Sequence, residues 1–181
     1  MKYMVISDIH GCVEFTNKAI EIFKKEEAHY LIILGDFLYH GPRNDLPKEY
    51  HPKKVIVMLN AMKEDVLCVR GNCDTEVDQM VLDFSILADY CILPVGKKLL
   101  YATHGHVYNK TNPPKMNKGD ILLNGHFHVP AFEELEDFIY MNPGSVSIPK
   151  ENSQHSYMIL EKETFVWKNL DGDEYLKVVV E

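Results

Sequence analysis

YMVISDIHG, residues 3–11, runs from aliphatic and β-branched residues straight into an aspartate, a histidine and a glycine. The same order returns at YLIILGDF, residues 30–37, and at VLCVRGNCD, residues 66–74. Apolar runs without polar alternation read as strands buried on both faces. Between the first two lies FTNKAIEIFKKEEA (15–28), where Ala19, Ile20, Phe23 and Ala28 recur at helical spacing. Between the second and third lies PKKVIVMLNAMKED (52–65), opened by Pro52, with Val55, Ile56, Leu59 and Met62 on one face. Strand, helix, strand, helix, strand predicts a layered α/β sheet.

Two further runs of the same kind follow, LLYAT (99–103) and DILL (120–123). The last third changes character. AFEEL, FIYMN, SYMILE, TFVWK and YLKVVV are short strand-like segments separated by turn residues such as Glu136-Asp137 and Asp171-Gly172-Asp173. They predict antiparallel strands that make a second sheet or extend the first, with their Tyr and Phe residues in the core of the second sheet. With no repeat, linker or low-complexity segment, the chain reads as one domain over 1–181.

At 181 residues, 46% hydrophobic and 25% charged, the composition is that of a globular protein able to bury a core without staples. A net charge of −8 argues against a protein that grips nucleic acid, which needs clustered Lys and Arg. No window reaches the roughly 20 apolar residues of a membrane span. The N-terminus meets Asp8 too soon for a signal-peptide core. Cys12, Cys68, Cys73 and Cys91 form no CxxC pair and no zinc-ribbon spacing. Together these features predict a reducing, cytoplasmic setting with no membrane partner.

Set against the strands, the polar residues fall in one place. Asp8 and His10 follow the first run, Asp36 the second, and Asn72 and Asp74 the third; His104 and His106 follow LLYAT, and His126 and His128 follow DILL. In α/β sheets, ligands bind beyond the carboxyl ends of strands. His126 and His128, two apart on an extended backbone, are expected to project to the same side. A glycine adjoins every ligand candidate: Gly11, Gly35, Gly71, Gly105 and Gly125. Asp, His and Asn supply the oxygen and imidazole donors that suit divalent zinc, manganese, iron or cobalt. Asp8, His10, Asp36, Asn72, His104, His126 and His128 make seven candidate ligands, more than one ion with open positions would use. Two ions with a bridging carboxylate suit hydrolysis of phosphate esters.

The order D-x-H, G-D, G-N-x-D, H and G-H-x-H resembles that of the calcineurin-like metallophosphoesterases. Through LGDFLYHGPRN, VRGNCD, EVDQM, THGH and NPGSVSIPK the chain looks most like their small bacterial YfcE-type phosphodiesterases, over essentially its whole length. The resemblance implies a metallo-dependent phosphatase-like fold, an αββα sandwich of two mixed sheets flanked by helices. It also implies two divalent ions, manganese first, with zinc, iron or nickel accepted. Asp8, His10, Asp36 and His128 would hold one ion, and Asp36, Asn72, His104 and His126 the other. The implied activity is a phosphodiesterase acting on small organic phosphoesters through a hydroxide activated at the dinuclear site. A non-catalytic alternative exists within the superfamily, since the retromer subunit keeps the fold as a protein-binding scaffold. A scaffold is free to lose ligands, and this chain retains all seven.

One position departs from the larger relatives, which carry at Cys73 a histidine that protonates the leaving group. A thiol of ordinary pKa is a poorer acid at neutral pH than imidazole, which leaves Asp74 or an ordered water as substitutes. His106 is a further candidate donor, or a structural residue of the HGH turn. In LYHGPRNDLP, His40 and Arg43 are candidates for substrate contact, against a surface turn shaped by Pro42. NPGS (142–145) reads as a tight turn supporting the site. Cys12 and Cys73 read as small packing residues. The apolar strands of a second sheet leave room for a homodimer or higher homo-oligomer.

Overall fold

The apolar runs become strands, and the alternation of their buried side chains sets the layers. In the computed structural model, which describes residues 1–180, β1 (Lys2–Ile6), β2 (Tyr30–Ile33) and β3 (Val66–Cys68) lie parallel and in sequence. Helices α1 (Val13–Lys25) and α2 (Pro52–Asn60) make the two crossovers. α1 buries Thr16, Ala19 and Phe23, and its Glu14 and Lys24-Lys25 complement the helix dipole at its two ends. α2 begins on Pro52 and buries Val55 and Leu59. It stops at Asn60, earlier than the apolar periodicity predicts, although Met62 still packs beneath it.

Met4, Ile6, Leu31 and Ile33 point to these helices, whereas Val5, Ile32 and Leu34 point the other way, into a core shared with the second sheet. From that sheet come Leu100, Ala102, Ile121, Leu123 and Met141, all without solvent exposure. Burying each such side chain is worth about 1.5–3 kcal/mol.

The last third divides between the two sheets. β9 (Ser156–Glu161) joins β1 antiparallel, and β10 (Thr164–Asn169) and β11 (Glu174–Val179) follow it, giving the six-stranded order β11-β10-β9-β1-β2-β3. The second sheet has the order β4-β5-β6-β8-β7, built from β4 (Tyr90–Val95), β5 (Lys98–Thr103), β6 (Ile121–Asn124), β7 (Pro130–Glu134) and β8 (Ile139–Pro143). Here β5, β6 and β8 are parallel, so β8 departs from the antiparallel arrangement expected of its segment.

The aromatics also divide differently from expectation. Phe165 and Trp167 enter the shared core from the first sheet, Tyr157 faces the helices, and Phe127 and Tyr175 lie at the surface, partly exposed. The two mixed sheets are those the motif order predicts, with one difference in their flanks. The outer face of the second sheet, formed by Tyr101, Leu122, Phe138 and Tyr140, packs Met116 of the β5–β6 connection, and no helix covers it among the described residues. A short helix α3 (Glu76–Gln79), capped by Thr75 and Asp78, lies after the third motif.

Candidate metal centre

Five of the six parallel strands, β1, β2, β3, β5 and β6, end in the polar motifs, and those ends meet at one end of the sandwich. Beyond each end the chain turns sharply, and the ligand candidates themselves make most of the turns. Asp8 (φ 59°), His10 (49°), Asp36 (57°), His126 (63°) and His128 (61°) all adopt left-handed backbone. Few non-glycine residues accept that region, and Asp and His are among those that tolerate it best. His126 and His128 therefore converge through two left-handed turns, and the strand alternation read from sequence is not what aligns them.

Backbone pairing continues past the strands to hold these turns. His10 N–H donates to the Asp36 carbonyl (2.9 Å), Asp8 N–H to Gly35 (3.2 Å) and Gly125 N–H to His104 (2.8 Å). A Cβ on Gly71 would collide with the Asp36 carboxylate, and one on Gly125 with the Ser7 hydroxyl, which is why these two motifs need glycine. Asn142, fully buried, donates from Nδ2 to the Gly125 carbonyl (2.7 Å), and its own carbonyl accepts from Trp167 Nε1 (2.7 Å). Ser145 Oγ donates to the Asp8 carbonyl (3.0 Å). The NPGS turn is thus a support beneath the ligands.

Three imidazoles are fixed by backbone carbonyls. The Nδ1 atoms of His10, His104 and His128 lie 2.7, 2.6 and 2.6 Å from the carbonyls of Tyr39, Leu34 and Ile148. A carbonyl only accepts, so each Nδ1 carries a proton and each Nε2 is the atom turned toward the centre. Those Nε2 atoms face carboxylates: His128 lies 3.2 Å from Asp8 Oδ1, and His10 and His104 lie 3.6 and 3.5 Å from Asp36 Oδ2. The opposite oxygens are already engaged, Asp36 Oδ1 by Cys73 N–H (2.8 Å) and Asp8 Oδ2 by His126 N–H (3.0 Å). His126 turns Nδ1 inward, 3.2 Å from His104 Nε2, which is also 3.0 Å from Asn72 Oδ1.

Asp8 Oδ1 and His10 Nε2 are buried without a hydrogen-bond partner. Orphaned acceptors of this kind, aimed at one another, are what a divalent cation satisfies. Donor atoms of Asp8, His10 and His128 form one tight group, and those of Asp8, Asp36 and His104 another. The charges agree. Burial alone would raise the Asp8 carboxyl, yet His128 and its neighbours hold it well below the ordinary range. Burial lowers His104, and Asp36 more than reverses this, pulling it up to about 9, so the centre attracts positive charge. Burial and the His104 charge push His126 down to about 4, which keeps its ring neutral and free to ligate.

The remaining candidates are placed unequally. Cys73 is buried in the wall of the central cavity, within reach of His10 and Asp36, and burial with the Asp36 charge pushes its thiol up. Asp74 faces away from the cavity: its carboxylate accepts N–H bonds from Asp36 (2.8 Å), Phe37 (2.9 Å) and Gly71 (2.6 Å) and so ties the second motif to the third. Burial and the Asp36 charge nevertheless raise it to about 6. His106 is exposed, its ring 5.3 Å from that of His104 and 6.3 Å from that of His126. His40 packs edge-on against Tyr39 and Tyr50 and stays out of the cavity wall. Arg43 lines the cavity, and so does Lys150, which sequence reasoning passed over. The one signal for Lys150 was its place at the end of NPGSVSIPK.

Seven candidate nitrogen and oxygen donors, two of them on anchored carboxylates, lie at the strand ends of a two-sheet sandwich and suit a metal-dependent hydrolase. The chain belongs to the calcineurin-like phosphoesterase superfamily, whose domain it matches over residues 1–164. It is similar to phosphodiesterase YfcE of Escherichia coli strain K12, at 46% identity over 90% of this chain and 89% of that one. The solved structure of E. coli YfcE, a phosphoesterase, superposes with a TM-score of 0.96 at 43% identity, with both chains fully covered. A structure of Vps29 from Entamoeba histolytica, at 18% identity and a TM-score of 0.66 over all of both chains, shares the fold alone.

Proposed function

We propose that the chain is a metal-dependent phosphodiesterase that hydrolyses small organic phosphoesters at a dinuclear centre. The observation that carries the dinuclear reading is the position of Asp36 Oδ2, 3.6 Å from His10 Nε2 and 3.5 Å from His104 Nε2. A carboxylate oxygen shared by imidazoles from two different motifs suits a bridging ligand. Asp8, His10, Asp36 and His128 would hold one ion, and Asp36, Asn72, His104 and His126 the other. When bound, such a pair supplies Lewis acidity, lowering the pKa of a water and neutralising charge on the phosphate. Manganese is the first choice, and the same donors accept zinc, iron or nickel.

The protein's own share is orientation. Cys73 N–H and His126 N–H each hold one oxygen of Asp36 and Asp8, so the other oxygen of each faces the centre. His10, Asp36, Asn72, Cys73, His126 and His128 line one cavity, which a small ester would enter from solvent. The Cys73 thiol stays protonated at neutral pH, so it is a weak acid at the position where the larger relatives carry their proton donor, and His106 at the rim is the second candidate donor. A net charge of −8 disfavours nucleic acid as substrate. Cytoplasmic location and homo-oligomer formation belong to the same reading. The scaffold alternative finds no support in a ligand set this complete.

The test is hydrolysis of bis(p-nitrophenyl) phosphate by chelator-stripped protein as manganese is titrated back, with p-nitrophenyl phosphate in parallel. Activity should return with metal and favour the diester. Metal binding without cleavage of either ester would replace this reading with the scaffold.

A further inference from the structure

The central cavity carries more positive charge than its ligands explain. Arg43 and Lys150 both line it, and Asp36 is the one acidic residue in its lining. Neither cation is paired with a carboxylate among the described residues, whereas Lys2, Lys18, Lys48, Arg70, Lys110 and Lys168 all are. Most of the 19 basic residues are unpaired in this way, and what sets Arg43 and Lys150 apart is that both line the same cavity.

Their backbones are held. Lys150 N–H donates to the carbonyl of His128 (3.1 Å), and Ser153 closes the turn on the Lys150 carbonyl through both N–H (3.0 Å) and Oγ (2.6 Å). Arg43 sits in a turn where Gly41 takes φ 80° and Asn44 Nδ2 donates to the His40 carbonyl (2.8 Å). Each cation thus projects from a fixed turn tied to a ligand loop, Arg43 beyond Asp36 and Lys150 beyond His128.

A phosphodiester brings one negative charge, and a metal centre already answers it. Two further cations are matched by a substrate with another anion. Arginine offers a planar fork to a phosphate or carboxylate, and lysine a point charge beside it. Resting on the phosphodiesterase reading, we propose that Arg43 and Lys150 form an anion clamp at the mouth of the centre, selecting phosphoesters that carry a second anionic group.

The experiment compares two esters that differ by one phosphate, on the manganese-loaded full chain. They are the p-nitrophenyl esters of thymidine 5′-monophosphate and of thymidine 3′,5′-bisphosphate, both cleaved at the 5′-phosphate. The wild type should favour the bisphosphate in kcat/KM by about tenfold, the equivalent of one charge-assisted contact. Lys150→Ala and Arg43→Ala should each bring the ratio towards one while metal content stays unchanged, and Lys18→Ala, far from the cavity, should leave it alone. Calorimetry with thymidine 3′,5′-bisphosphate and thymidine 5′-monophosphate reads the same preference without turnover. A ratio near one in the wild type, or a ratio unmoved by both variants, overturns the clamp. Equal loss of kcat on both esters also overturns it, because the cations would then be acting on the reacting phosphate. If neither ester is cleaved and calorimetry still prefers the bisphosphate, the clamp stands and the hydrolytic reading falls.

Discussion

Asp36 is fixed by three separate devices: its own left-handed backbone, an N–H from Cys73 on Oδ1, and the Asp74 carboxylate on its amide. Asn tolerates the same backbone, so Asp36→Asn removes charge with little change of shape. The variant should lose bis(p-nitrophenyl) phosphate hydrolysis and bind manganese at least about a hundredfold more weakly; a fully loaded, active variant would sink the bridging role. Cys73→His tests the leaving-group side. An imidazole at that wall position should raise kcat on esters with poor leaving groups by up to about a hundredfold, the low end of what a placed proton donor supplies. The rate should then fall as pH rises through the imidazole pKa, because the acid must be protonated to act. Unchanged rates would place the donor elsewhere, with His106 next in line. The ligand types were readable from sequence because Asp, His and Asn recur beside glycine at strand ends. Their backbone was not readable, since a left-handed turn at His126 depends on contacts made by Ser7 and Asn142, far away in the chain.

Among the elements, the apolar runs gave strands in the expected places because burial on both faces leaves an unbroken hydrophobic signal. β4 escaped notice for the opposite reason: Tyr90, Ile92 and Pro94 face solvent on an edge strand, and Pro94 reads as a breaker. α3 is too short to show a period. Whether a late segment joins the first sheet or the second is a long-range choice, and nothing local in SYMILE specifies its partner β1. The consequence for the site lies in β8, whose penultimate residue Asn142 links Trp167 in the shared core to the loop that carries His126 and His128. Asn142→Ala strands a buried carbonyl and should cost about 1–3 kcal/mol. It should also weaken manganese binding, as measured by thermal melting and metal titration together; a destabilised variant with normal metal affinity would confine Asn142 to packing.

Away from the central site, ionic contacts are mostly peripheral, with one exception at the far end of α1. Glu26 accepts from Lys168 Nζ (2.7 Å), Lys2 Nζ (2.9 Å) and Tyr157 OH (3.0 Å), joining α1 to β1, β9 and β10. Burial raises its carboxyl, and the two lysines and the tyrosine outweigh this, bringing it down to about 2 from an ordinary 4.5. A carboxyl depressed by folding stabilises the protein above its unfolded pKa and loses that contribution as pH falls through its folded one. The wild type should therefore lose stability between about pH 4.5 and 2, and Glu26→Gln should flatten that part of the curve. Near neutrality the same change should lower the melting temperature by roughly 2–4 °C, about 1 kcal/mol at this chain length. An acid limb identical in the variant would assign the loss to other carboxylates.

The meeting of both sheets at one end has a further consequence. Asp8, His10, Asp36 and Asn72 stand on the first sheet, and His104, His126 and His128 on the second. Metal held between them would join positions as far apart in the chain as Asp8 and His128 and pin one sheet against the other. It would amount to a reversible cross-link, made by coordination in a protein whose four cysteines stay free. A chelator would act on this fold much as a reductant acts on a disulfide-stapled one.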